Sequence, residues 1–192
     1  MAKLSNRRVL AGMAAVLACA LATHAQDPAG SADRPAGNVN ELTLAALRPG
    51  VATLASAQRR FGSHGTHPSP DEKDLSIWCD AHQHLQLSLE ANQQGTVQVV
   101  MVERPKPQSA CSATLPASTP GTGRGLKLGD GIARAKLIYG KPFFEGPSLW
   151  QGRDVHLVVF NFSWAGSDKP QILECSFLDG RLVKLTLSAA YY

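Results

Sequence analysis

Two short apolar stripes, each cut off by a glycine, constrain this chain more than any other feature. Leu54, Ala57 and Phe61 precede Gly62; Ile132, Ala135 and Tyr139 precede Gly140. Both sets sit at i, i+3 and i+7, on one side of a helix, and glycine leaves the helical backbone more easily than any other residue. Thr53 and Asp130 are the expected N-caps. A helix of roughly two turns is marginal in water, because nucleation costs more than a few hydrogen bonds return. Each stripe must therefore be buried on something else, and the rest of the chain offers strands.

Leu85, Leu87 and Leu89 alternate with Gln86, Ser88 and Glu90, the pattern of a strand with one wet face. Asn92 to Gly95 turns the chain into Thr96 to Glu103. Val155 to Trp164 and Gln171 to Phe177 read as two more strands, and Asp179-Gly180 makes a hairpin turn into Arg181 to Ser188. Ser76-Ile77-Trp78 with His84-Leu85 matches Ser148-Leu149-Trp150 with His156-Leu157 without a gap. Leu47-Arg48-Pro49-Gly50 has a counterpart, offset by one residue, in Leu126-Lys127-Leu128-Gly129. This self-similarity predicts an α+β fold of two tandem repeats, residues 40–104 and 126–192, each a short helical segment packed on a small antiparallel β-meander. Trp78 and Trp150 then take the same structural role in both repeats. Residues 105–125, rich in Pro, Ser, Thr, Ala and Gly, read as the linker between them.

The start of the chain reads as an export signal. Lys3, Arg7 and Arg8 precede the uncharged run Val9 to Ala22, and Thr23-His24-Ala25 offers a small-residue cleavage site before Gln26. The apolar run, about 14 residues, is short of the roughly 18–20 that span a bilayer, so residues 1–25 are expected to be removed and the mature chain to have no transmembrane span. Val16-Leu17-Ala18-Cys19 also approximates a lipoprotein box, which would place a lipid anchor on Cys19. Residues 26–39 are small, polar and broken by Pro and Gly, an arm too poor in apolar surface to order itself. The leader holds three basic residues and no acidic one, so the net charge of +4 falls to +1 in the remainder. A near-neutral protein has no broad footprint for a phosphate backbone, which argues against nucleic acid as a partner.

Gly125-Leu-Lys-Leu-Gly-Asp-Gly131, then a short helix and Tyr139-Gly140-Lys141-Pro142, resembles the start of an SmpA/OmlA-type unit, the small lipoprotein unit of the barrel-assembly machinery. Two such units in tandem resemble the architecture of β-lactamase inhibitor proteins, over most of residues 40–190. The resemblance implies an exported, non-enzymatic protein that binds another protein by the exposed face of its sheets, in the periplasm or outside the cell. The alternatives are a lipid-anchored envelope-assembly scaffold and a His-rich metal-binding protein.

Catalytic chemistry finds little support. No Gly-x-Ser-x-Gly, His-Glu-x-x-His or paired-carboxylate pattern occurs, and no cofactor motif: Gly121-Thr-Gly123-Arg-Gly125 has no phosphate-loop context. His64, His67, His82 and His84 fall in one stretch with Cys79 and Asp80. His82 and His84, two apart on a strand, would share a face, making these four weak candidates for a surface metal site. Removal of the leader leaves Cys79, Cys111 and Cys175; export makes one disulfide the expectation, placed between Cys79 and Cys111, with Cys175 buried and reduced. For partner binding the candidates are Phe143 and Phe144, in a loop between Pro142 and Gly146, and the alternating aromatics Phe160, Phe162 and Trp164, which form either core or an exposed patch.

Overall fold

Both glycine-stopped stripes are helices. The computed structural model describes residues 42–62, 75–105, 115, 120–162 and 170–189. Helix α1 is Leu54–Phe61 and α2 is Ile132–Tyr139. Thr53 caps α1 through a reciprocal capping box: its hydroxyl accepts from the Ser56 N–H, and the Ser56 hydroxyl accepts from the Thr53 N–H. The cap of α2 is Gly131 rather than Asp130, whose carboxylate accepts instead from the Lys127 N–H at 2.9 Å.

Among the described residues seven strands run between and after the helices: β1 (Leu75–Asp80), β2 (Leu85–Ala91), β3 (Val97–Glu103), β4 (Phe144–Trp150), β5 (Arg153–Phe162), β6 (Gln171–Leu178) and β7 (Arg181–Ala189). The β4–β5 and β6–β7 hairpins close through Gln151-Gly152 and Asp179-Gly180, all four residues at positive φ, the backbone that matches the twist of the flanking strands.

These strands do not form two sheets. They form one antiparallel sheet in the order β1-β2-β3-β7-β6-β5-β4, and this overturns the expected pair of tandem helix-on-meander repeats. The join is β3 against β7, where Val100 faces Leu187 and Val102 faces Leu185. The physical reason lies in β3. Val97, Val99, Val100, Met101 and Val102 make it a largely β-branched, uncharged run, without the charges and prolines that protect an edge strand. A bare edge beside those valines would invite pairing with other chains, and β7 covers it.

Cross-strand partners share a face, so the register defines the two sides. The row Trp78, Leu87, Val102, Leu185, Cys175, Val158 is buried, as is the row Leu89, Val100, Leu187, Leu173, Phe160. On this side lie both helices, through Ala57, Ala135 and Tyr139, together with Leu42, Leu44, Leu47, Leu115 and Leu126, in one apolar cluster. The described residues therefore form two layers and one main core fed by both halves. The two matched tryptophans lie on opposite faces. Trp78 is in the main core, donating from Nε1 to the Gly62 carbonyl oxygen at 3.1 Å with its ring 5.9 Å from Phe61. Trp150 is on the other face, packed with Val155, Val183 and Leu178 and donating to Glu103 Oε2 at 2.8 Å. A shared role for them is thus ruled out.

The described end of the expected linker is built into the fold. Thr122 N–H donates to the Leu126 carbonyl, Gly123 N–H to Thr43, and the Gly121 carbonyl accepts from Ala45. Thr122 Oγ1 accepts from Tyr139 Oη at 2.5 Å and from the Leu126 N–H at 3.1 Å. A Cβ on Gly121 would lie 2.9 Å from the Leu126 carbonyl oxygen, so glycine there serves close backbone approach and not flexibility.

Candidate functional site

The side of the sheet turned away from the helices is the candidate site. Its central row reads Ile77, Ser88, Met101, Thr186, Glu174, Val159, Phe144 across all seven strands, flanked by a row that includes Leu75, Val99 and Ile172. Ile77, Met101, Val159, Leu75, Val99 and Ile172 are all half-buried, and none of them belongs to the apolar cluster that holds the two described helices. At one end this face is closed: the β4–β5 hairpin tip folds over Val183, with Trp150 bonded to Glu103 and the Gln151 side chain donating to the Arg104 carbonyl at 3.1 Å. The open part thus has a floor of half-exposed apolar side chains, with Ser88 and the Thr186 hydroxyl buried among them, and a wall at one end.

Phe144 marks the β4 border. It begins an edge strand instead of lying in a loop, and its ring lies on Gly146: a Cβ there would come within 2.9 Å of Phe144 Cζ. The aromatic shields a glycine that has no side chain of its own, yet remains 47% exposed. Phe143 is exposed beside it and held by its N–H to the Val159 carbonyl at 2.8 Å.

A polar cluster that the sequence did not signal lies at the same border, on the helix side. Glu145 accepts from Lys136 Nζ, at 2.7 Å to Oε2, and meets His156 Nε2 at 2.8 Å through Oε1. The hydrogen bond from Lys136, and then that from His156, hold its carboxyl below the usual range. Helical, edge-strand and inner-strand residues far apart in sequence meet here, and only the spacing of Glu145 and His156 across a hairpin would have hinted at it.

Other expected residues fall elsewhere. Phe160 and Phe162 are core: Tyr139 packs on both, at ring distances of 5.3 and 5.6 Å, so neither reaches a partner from the surface. Trp164, His64, His67 and Cys111 lie outside the described residues. His82 and His84 sit in the tight turn 81–84 and not on a strand, and His84 has positive φ. That turn is held by Asp80, whose carboxylate accepts from the His82 and Gln83 N–H groups. Among the described residues no group of three metal-ligating side chains comes together. Cys79 is disulfide-bonded; Cys175 is free and buried, and burial pushes its thiol well above the usual range. Tyr139, too, is raised by burial, to about 12, against the lowering effect of its bond to Thr122. Among the described residues no helix is long and apolar enough to cross a membrane.

No family model matches the chain, and no curated protein matches it in sequence. A crystal structure of the DUF4309 family protein YjgB from Bacillus subtilis is similar to it with a TM-score of 0.47 and 12% identity, over 76% of this chain and 83% of that one. A likeness of that size carries no inference about function.

Proposed function

We propose that this chain is an exported, non-enzymatic module that binds another protein through the open face of its sheet. The supporting observation is the row of half-exposed Ile77, Met101 and Val159 running to Phe144, set among Ser88, Thr186 and Glu174. Half-exposed apolar side chains with no described helix over them are what a partner covers at the centre of an interface, with aromatic contacts at the hot spots. The resemblance to the SmpA/OmlA-type unit implies the same mode of binding. Phe143 and Phe144 keep their place as candidates at its border.

The test places a photo-reactive amino acid at Met101 in the full chain and irradiates it in the native envelope fraction. One discrete adduct is expected, lost when Val159→Lys is added. Failure of Val159→Lys to reduce the adduct, or no adduct at all, overturns the reading. Intact mass of the exported protein checks its address: a start at Gln26 is expected, a diacylated Cys19 would favour the anchored scaffold, and an intact Met1 would remove export. We also assign Cys111 as the disulfide partner of Cys79, leaving Cys175 free; closing a loop of about 30 residues restricts the unfolded chain by roughly 3–4 kcal/mol. Peptide mapping that joins Cys79 to Cys19 would refute the pairing.

A further inference from the structure

The large exposed apolar side chains among the described residues are unevenly placed. The two most exposed of them, Leu137 at 77% and Phe143 at 76%, lie in the last turn of α2 and just beyond its end. Arg124 is fixed to the same helix end: its Nη1 donates to the Ile138 carbonyl oxygen at 2.7 Å and its guanidinium carbon stands 5.9 Å from the centre of the Tyr139 ring. Lys141 follows the Gly140 cap, and Arg134 stands three residues before Leu137; both are exposed. The nearby carboxylate, Glu145, is already engaged by Lys136 and His156. Arg124, Arg134 and Lys141 have no carboxylate partner among the described residues.

We propose that this end of α2 docks an acidic segment of another polypeptide, in which a carboxylate stands next to an apolar side chain. Charge complementarity selects the sign: three cations without a carboxylate partner and two exposed apolar side chains belong to the same helix end and the residues just beyond it, and the local acid is neutralised. Arg124 selects the group. A guanidinium already held by one backbone bond and an aromatic ring loses little freedom when its remaining N–H donors grip a carboxylate, which they do as a fork. Leu137 and Phe143 supply the apolar contact that a charge pair in water lacks. An anionic membrane fits less well, because lipid attachment by charge uses clusters of about four to eight Lys and Arg. The site shares Phe143 with the border of the open face, but Leu137, Arg124, Arg134 and Lys141 belong to it alone, so Leu137→Ser on its own separates the two readings.

The probes are fluorescein-labelled hexapeptides in which Leu or Phe is flanked by Glu, their Gln counterparts, and vesicles of phosphatidylcholine with phosphatidylglycerol. Anisotropy with the full chain should show saturable binding of the acidic peptides that weakens with salt, and none of the Gln forms. Leu137→Ser with Phe143→Ser should weaken it about ten-fold, Arg124→Lys and Lys141→Gln each about two- to five-fold, and Val51→Ser, exposed ahead of α1, not at all. Circular dichroism verifies that each variant is folded; Lys141→Gln carries the test if Arg124→Lys loosens the helix. Equal binding of the Gln peptides, no binding of any acidic peptide, or vesicle binding that the same substitutions abolish would each overturn the proposal.

Discussion

Replacing Leu185 by Ala tests whether the two halves are one folding unit. Leu185 is completely buried in β7, facing Val102 across the join on one side and Cys175 on the other. Removing its branched end deletes buried surface and leaves a cavity between strands that cannot close on it, at a cost of about 3 kcal/mol, within the range of about 2–5 for buried leucines. With a urea dependence of about 2 kcal/mol/M, the midpoint should fall by about 1.5 M. The reporter is Trp78, in β1 at the far edge of the sheet, isolated by Trp150→Phe and Trp164→Phe in both proteins. Because one core serves both halves, Trp78 fluorescence and far-ultraviolet circular dichroism should give one transition and move together. If the dichroism splits into two steps and Trp78 keeps its original midpoint, the halves fold separately and the single-core argument is wrong.

Phe61→Ala, which strips the half-buried ring from Trp78, should cost about 2–3 kcal/mol, against about 1 kcal/mol for Phe144→Ala at the exposed border, compared by chemical denaturation. Gly121→Ala sets a methyl against the Leu126 backbone and should cost about 1–3 kcal/mol. Gly123→Ala meets only Thr43 Oγ1, at 2.6 Å, so Thr43→Ala should restore most of its loss. Ala45 and Ala46 both have positive φ in the turn from Leu44 to Leu47, and Ala46 is exposed; Ala46→Gly should raise stability by about 0.5–1 kcal/mol in thermal melts. Burial raises the Cys175 thiol in the folded state, so the unfolded chain loses that proton first. Stability should hold below pH of about 8.5 and fall as pH rises through it, and Cys175→Ala should flatten urea midpoints measured between about pH 8 and pH 10.

The helices and most strands were legible because their signals are local. The i, i+3, i+7 stripes, the Thr53 cap and the Asp179-Gly180 turn each depend on residues within a few positions of one another. Leu85, Leu87 and Leu89 alternate inward as their pattern required. The partner of β3 was not legible, since nothing local distinguishes β7 from another apolar edge; the run of valines signalled only that β3 wanted neighbours on both sides. Treating Trp78 and Trp150 as equivalent failed for a related reason. Matching spacing does not fix which face a residue takes once a hairpin extends beyond its neighbours, as β4 and β5 do at Ser148–Val155. Phe160 and Phe162 were found on the correct strand face, but whether that face met helix or solvent depended on where α2 lies. At the candidate site Pro142 and Gly146 pointed to a loop around Phe143 and Phe144, whereas Phe144 and Gly146 are in β4; the Lys136–Glu145–His156 cluster was not legible at all, because it joins three elements.

Strand β7 follows the other six described strands in sequence but lies in the middle of the sheet. Neither β3 nor β6 can complete its hydrogen bonding until β7 arrives, so the order of synthesis and the order of assembly are at odds. Contacts of long sequence separation must form before the core closes, which slows folding and prolongs the time during which the valine-rich edge is bare. A chain built this way gains from being kept unfolded until β7 has been made.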